Sequence, residues 1–382
     1  MSYDIQIGLA TPREEADIRR RRHRPPYSLE SFLEWEEEAA ARGATQWVMY
    51  NEPPTTPEIK GHDIDRTVMG SFQTIPRRAL VASRRADGQV QVDKVPCSLI
   101  QAMFVFEEFR RQGLAAKALR LIKDQLADYA EADHQGIRFL FLYSYVGPEL
   151  YTQGGWTSFP ATYATLPTVS GPDMASVPDE VEFFDVKEVE KLCLRDEELV
   201  REELLRSYTS GDDAKSKFVV LADWPAISWL EACEEHVARE TNTGALSLKG
   251  ARARTRAGTV WCIWTRIFRG NGEIDFQILR SRVDAAAAND NSDLSAEEAE
   301  DQITSGLAAV LRAAQIEAGR WGCNNVTMKN PPPRLVRAAQ RIDPSAQSIP
   351  RSKICLPFLH WYGGAEGEET PEWLQNESHG DF

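Results

Sequence analysis

Residues Phe104 to Leu119 read FVFEEFRRQGLAAKAL, and the segment Arg110-Arg-Gln-Gly113-Leu-Ala115 within them carries the first residues able to do chemistry. An apolar run ending at Phe106 passes through two glutamates, two arginines and a glycine directly into a helical pattern. A helix that begins this way exposes backbone N–H groups with no partner inside the helix, and its dipole gives them positive character. Such an end suits phosphate oxygens. Gly113 admits a close approach because it has no side chain, Ala115 keeps the next turn small, and Arg110 and Arg111 add positive charge. Two other phosphate-binding patterns are excluded. The chain has no GxxxxGK followed by Ser or Thr, and Gly270-Asn-Gly272 lacks the third glycine of GxGxxG. That pair lies between two strand-like runs and reads as a hairpin turn.

The elements that must position this segment follow from hydrophobic periodicity and breakers. YDIQIGLA alternates as a strand, and PREEADIRRRRHR reads as a polar helix. YSLESFLEWEEEAAARG is a second helix, with Ser31 and Glu34 as its capping box and Gly43 as its stop. TQWVMY, RTVMGSFQT and KVPCSLIQAMFVF are strands. A helix from about Gly113 to about Ala130 follows, with Leu114, Ala118, Leu121 and Ile122 on the face toward a sheet. IRFLFLYSYV is a buried strand, PELYTQGG a short helix, and WTSFPATYATL a strand that turns at Pro160. Pro167 to Glu180 is rich in Pro, Ser and Gly and reads as a linker. Beyond it lie a helix (EVEKLCLRDEELVREELLRSY) and the strands FVVLA, VWCIWTRIF and IDFQILRSRV. A long helix then starts at a Ser295–Glu298 capping box, and NNVTMKN is a strand. DAAAANDNSDLS reads as an exposed loop and the polar tail as mobile.

Arg110 to Ala115 fits the pattern R/Q-x-x-G-x-G/A, and in it the chain resembles the GNAT acyl-CoA N-acyltransferases. A second element, Tyr151-Thr-Gln-Gly-Gly155-Trp156, resembles the Y-x-x-x-G-F/W of that family and follows the expected strand. The family often has Asn seven residues before this Tyr; here the residue is Ser144. LYSYVGPELYTQGGWTSFPATY followed by a long second region is similar to the fungal lysine N6-acetyltransferase family.

The resemblance implies an α/β fold of mixed central sheet and flanking helices, followed by a second GNAT-like domain. The implied organisation is an acetyltransferase domain over 1–166, a linker over 167–180, and a GNAT-like domain over 181–382 without the CoA pattern. It further implies that acetyl-CoA is held by Arg111, Gln112, Gly113, Leu114, Ala115 and Ala116 at its pyrophosphate, and by Met103, Phe104 and Val105 along its pantetheine. Tyr151 is implied as the acid that protonates the CoA thiolate.

Composition sets limits on partners. With 58 acidic against 44 basic residues, a net charge of −14 disfavours broad nucleic-acid binding. The run Arg19 to Arg24 therefore reads as an exposed helix face, with the 3′-phosphate of CoA as an alternative partner. The six cysteines form no CxxC pair and the six histidines no HExxH, so we expect reduced thiols, a cytoplasmic protein and no metal. The first residues match neither a signal peptide nor a membrane span, and no membrane partner is expected.

The expected acceptor is a small-molecule amine, the ε-amine of free L-lysine as the resemblance implies. Another small amine or a protein amine is the alternative acceptor, and a non-catalytic CoA-binding scaffold the alternative class. Glu34, Glu36, Glu37 and Glu38 read as a solvated acidic face rather than an amine pocket. A substrate α-carboxylate would need an arginine, and Arg266, Arg269, Arg280 and Arg282 are the candidates. The Trp residues of WCIWT read as core. The C-terminal carboxylate of Phe382 is a candidate for the general base.

Overall fold

A computed structural model describes residues 4–23, 28–51, 66–85, 87–132, 136–170, 177–209, 215–269, 271–285, 294–351, 355–362 and 370–380. The chain opens with β1 (Gln6–Leu9), α1 (Pro12–Arg22), α2 (Leu29–Ala41), β2 (Thr45–Asn51), β3 (Thr67–Arg84) and β4 (Val90–Val105). It continues through α3 (Leu114–Ala132), β5 (Phe139–Ser144), α4 (Glu149–Thr152), β6 (Thr157–Ser158), β7 (Ala161–Pro167), β8 (Val181–Phe184), α5 (Val186–Thr209) and β9 (Lys217–Val220). The remainder is α6 (Trp224–Glu240), β10 (Gly250–Thr255), β11 (Gly258–Phe268), β12 (Ile274–Asp284), α7 (Ala296–Arg320), β13 (Asn325–Lys329), α8 (Pro333–Ile342), β14 (Ile349–Arg351), β15 (Leu356–Trp361) and β16 (Glu372–Trp373).

Two compact units result. The first comprises Met1–Ala79, Lys94–Pro160 and Ser352–Thr370; the second comprises Leu80–Asp93, Ala161–Arg351 and Pro371–Phe382. Both are α/β with mixed sheets flanked by helices. In the first unit the strand order is β1-β2-β3-β4-β5-β15-β6, with β4 and β5 parallel. The late strand β15 lies antiparallel between β5 and β6, pairing Phe358 with Leu142 and with Ser158. Ile18 of α1 is buried with Val48 and Phe106, and Trp47 stacks on Phe72 with ring centroids 6.0 Å apart.

In the second unit the order is β14-β7-β13-β12-β11-β10-β8, with β12 and β13 parallel. The apolar face of α7, including Leu307, Val310, Leu311 and Ala314, is buried against Ala251, Val260, Trp264 and Val326. Each fully buried leucine or valine there stabilises by about 1.5–3 kcal/mol. Trp261 and Trp264 are core, as WCIWT suggested.

Three local expectations change. The cap of α2 is Ser28, whose hydroxyl accepts the Ser31 N–H at 3.1 Å, while Ser31 itself is buried within the helix. WTSFPATYATL is two strands, because Pro160 separates β6 in the first sheet from β7 in the second. The tail is anchored over its described residues 370–380: β16 pairs with β9 in parallel, and the carboxylate of Glu377 accepts the Ser281 N–H at 2.9 Å. Residues 286–293 of the expected loop, 363–369 and 381–382 of the tail, Arg24, Gly270 and 171–176 of the expected linker lie outside the described residues. The part of that linker at Val169 is buried, and its N–H reaches the Gln315 carbonyl of α7.

Candidate active site at the first strand-to-helix junction

β4 begins the site. It pairs with β5 only over Ser98–Ile100 against Leu140–Leu142. Beyond that point Ala102 takes φ +52°, the left-handed region that non-glycine residues rarely enter. The β4–β5 register ends before this residue, while β3 stays with β4 and the Met69 carbonyl accepts the Phe106 N–H at 2.9 Å. Gly70 permits that approach, since a Cβ there would lie 2.5 Å from the Phe104 carbonyl oxygen. Met103, Phe104 and Val105 are half-buried on this diverging end, where no β5 register continues.

The junction itself is a single 3-10 turn, Glu107–Phe109, followed by two left-handed residues: Arg111 at φ +63° and Gly113 at φ +72°. Arg110 before them is extended, at φ −68° and ψ 162°, so the chain changes hand at Arg111. Arg111, Gln112 and Gly113 are exposed, and no atom comes within 4 Å of a Cβ built on Gly113. The first backbone bond of α3 runs from Lys117 N–H to Gly113 O at 3.1 Å, so the N–H groups of Leu114, Ala115 and Ala116 precede the helical ladder. The first turn of α3 carries no acidic side chain. Leu114 is buried and anchors the helix, whereas Ala115 and Ala116 are half-buried.

Charges around the junction are mostly committed to holding it. Arg110 Nε donates to the Val105 carbonyl at 3.1 Å, which closes the turn onto the strand end. Arg21 pairs with Glu108 at 2.7 Å and lies 4.3 Å over the Phe106 ring. The Glu108 carboxyl is held below its usual range by its own backbone N–H and by Arg21. Arg19, Arg21 and Arg22 of the basic run thus pair with Glu15, Asp17, Glu108 and Glu36. Glu36 departs from the solvated-face reading. It is buried on α2 and accepts from Arg22 at 3.2 Å and from Gln73 at 2.8 Å, while Glu34 and Glu37 are exposed.

The Tyr151 element has a structural explanation for each of its fixed positions. Gly155 at φ +78° reverses the chain, which lets the Trp156 N–H return to the Tyr151 carbonyl at 3.1 Å. The Trp156 indole then donates to the Leu119 carbonyl at 3.1 Å, tying α4 to α3. Tyr151 is 8% exposed and stacks on Phe358 of β15, with centroids 4.3 Å apart. Its oxygen accepts the Ser144 hydroxyl at 2.8 Å. Burial raises the phenol above its ordinary pKa, and the Ser144 bond opposes that shift.

The four candidate arginines for a substrate carboxylate are engaged elsewhere in the second unit. Arg266 is buried against Glu234, and Arg269 pairs with Asp275 at 2.9 Å. Arg280 joins Asp196 at 3.0 Å and Glu377 at 2.9 Å, and Arg282 joins Asp196 at 2.8 Å and Glu203 at 3.1 Å. Each therefore already faces a carboxylate of this chain. Sequence reading missed Ala102, Phe358 and the bond from Ser144 to Tyr151. No residue-type signal marks an alanine in the left-handed region, and Phe358 meets Tyr151 only through the non-local pairing of β15. All six cysteines are free thiols. Among the described residues no group of three or more His, Cys, Asp or Glu is placed to hold a metal ion, and no helix is long and apolar enough to cross a membrane.

Residues 164–380 match the family described as the LYC1 GNAT-like C-terminal domain. No curated protein matches the chain. Similar solved structures include a GCN5-related N-acetyltransferase from Kribbella flavida, at 14% identity and TM-score 0.48, covering 94% of this chain and 71% of that one. A probable N-acyltransferase from Enterococcus faecalis has 11% identity and TM-score 0.46, covering 94% and 72%. Saccharomyces cerevisiae N-myristoyltransferase with bound myristoyl-CoA has 10% identity and TM-score 0.44, covering 94% and 80%.

Proposed function

Because the chain belongs to the LYC1-like GNAT family of acyl-CoA-dependent N-acyltransferases, we propose that it is an acetyl-CoA-dependent N-acetyltransferase acting on the N6 amine of free L-lysine. The observation that carries the acetyl-CoA part is the junction: a β4 end with no β5 register beyond Ile100, with Ala102 left-handed, and a loop with Arg111 and Gly113 left-handed ahead of α3. In this reading the N–H groups of Arg111 to Ala116 receive the CoA pyrophosphate. The edge of Met103 to Val105 receives the pantetheine, as an added strand would pair. The lysine acceptor rests on the resemblance to the fungal lysine N6-acetyltransferases.

The reaction needs a neutral amine. A free lysine side chain has a pKa of about 10.4, so only on the order of one in a thousand is neutral near pH 7. The nitrogen lone pair attacks the thioester carbonyl carbon, and the carbonyl electrons move to oxygen. A β4 backbone N–H stabilises that oxyanion. Collapse re-forms the carbonyl and breaks the C–S bond, and the thiolate takes its proton from the Tyr151 hydroxyl. The extra proton on the amine leaves to solvent, from which the phenolate is reprotonated. Acid–base help of this kind supplies roughly a hundred- to ten-thousand-fold in rate.

The test is CoA-thiol release from acetyl-CoA with and without L-lysine, with mass spectrometry of the product. Lysine-dependent release with acetate on the ε-nitrogen is expected. Release only with other amines, or none with lysine, would remove the lysine assignment.

A further inference from the structure

The Ser144 that stands where the resembled family often has Asn is placed by the fold in direct contact with the proposed acid. Its Oγ accepts the Val146 N–H at 3.0 Å and lies 2.8 Å from the Tyr151 oxygen, and both side chains are buried. Among the described residues the competing acceptor for its proton is the Val146 carbonyl at 3.5 Å, at the limit of a hydrogen bond. The ring of Tyr151 is fixed separately, by its stacking on Phe358.

We infer that Ser144 is a positioning residue for acyl transfer: held by the Val146 N–H, its hydroxyl donates to the Tyr151 oxygen and leaves the phenol proton as the one free to reach the departing sulfur. A hydroxyl has one proton and two acceptor sites. With the Ser144 proton given to Tyr151, the tyrosine proton must point elsewhere. When that proton leaves, the phenolate keeps a donor at 2.8 Å in a site where burial excludes most of the water that would otherwise solvate it. The Ser144 bond therefore strengthens as negative charge forms on the phenol oxygen. Burial alone would make the phenol a poorer proton donor; the serine offsets part of that cost.

This inference rests on the reading of Tyr151 as the acid, and a double-mutant cycle separates the two. Thiol release from acetyl-CoA is measured with L-lysine and with water alone as acceptor, since departure of the thiolate is common to both. The proteins compared are wild type, Ser144→Ala, Tyr151→Phe and the double variant. Ser144→Ala is expected to lower kcat about two- to tenfold, leave the KM for acetyl-CoA unchanged and move the alkaline limb of the pH profile upward. The upward shift follows because the limb reports loss of the phenol proton, and removing the donor raises the phenol pKa. Ser144→Thr, which keeps the hydroxyl, should restore the rate, and Ser144→Cys, which keeps the volume with a weak donor, should not. In the Tyr151→Phe background the serine substitution should have no further effect. Equal losses in both backgrounds would overturn the positioning role alone, and the cysteine variant allows the same cycle if the alanine variant does not fold. Unchanged turnover in Tyr151→Phe, or no thiol release by wild type with either acceptor, would overturn the acid reading and this inference with it.

Discussion

Each unit contains a strand, a helix and a parallel strand in succession: β4–α3–β5 in the first and β12–α7–β13 in the second. Their helix starts are opposite in kind. α3 follows a loop with two left-handed residues, and its first turn holds no acidic side chain. α7 starts from a complete capping box. Ser295 Oγ accepts the Glu298 N–H at 3.2 Å, Glu298 returns to the Ser295 N–H at 2.8 Å, and Glu297 adds a second negative charge to the first turn. Thus the capping box pairs the Ser295 and Glu298 N–H groups at the start of α7 and its acidic residues repel an anion, while the first turn of α3 sets no carboxylate there. The arginines divide the same way. Arg111 is exposed at the first junction, whereas Arg280 on β12 is wholly buried among Asp196, Glu377 and Gln375. In the proposed reading one crossover serves as a binding device and the other as scaffold, and the two differ in the first turn of the helix.

Substitutions can break this contrast. The largest effect is expected at Arg280. Arg280→Met leaves Asp196 and Glu377 buried without their guanidinium and should destabilise the protein by about 3–5 kcal/mol in urea unfolding, whereas Arg111→Met should leave stability unchanged. Next is Gly113→Asp, which sets a carboxylate beside the proposed phosphate cradle and forces a side chain into φ +72°. Acetyl-CoA affinity measured by calorimetry should fall about a hundredfold. Tyr151→Phe should lower turnover tenfold or more and leave acetyl-CoA affinity nearly unchanged, as steady-state kinetics and calorimetry would show. Unchanged turnover at saturating substrate removes Tyr151 from the mechanism. The smallest effect is at α7: Ser295→Ala should cost about 1 kcal/mol of stability and nothing in acetyl-CoA affinity.

Much of the first junction was legible because its rules are local. A strand-like run, a glycine and a helical repeat are adjacent in sequence, and the loop from Arg110 to Gly113 formed where that pattern put it. The capping box at Ser295 was readable for the same reason. The cap of α2 was misplaced because two serines, Ser28 and Ser31, both satisfy the residue-type rule, and only the backbone at Ser28 is extended. What sequence could not show depends on distant partners. β15 joins the first sheet across more than 200 residues from β5, and only this pairing brings Phe358 to Tyr151. The burial of Glu36 depends on Arg22 and Gln73 from other elements. The four candidate arginines were indistinguishable as residue types, and their carboxylate partners come from α5, α6, β12 and the tail.

The contrast between the two helix starts is tested most directly by calorimetric titration of the full chain with CoA. One equivalent should bind, with affinity about a hundredfold weaker in Gly113→Asp and unchanged in Ser295→Ala. Two equivalents, or undiminished binding in Gly113→Asp, would contradict the assignment of the CoA site to the first junction.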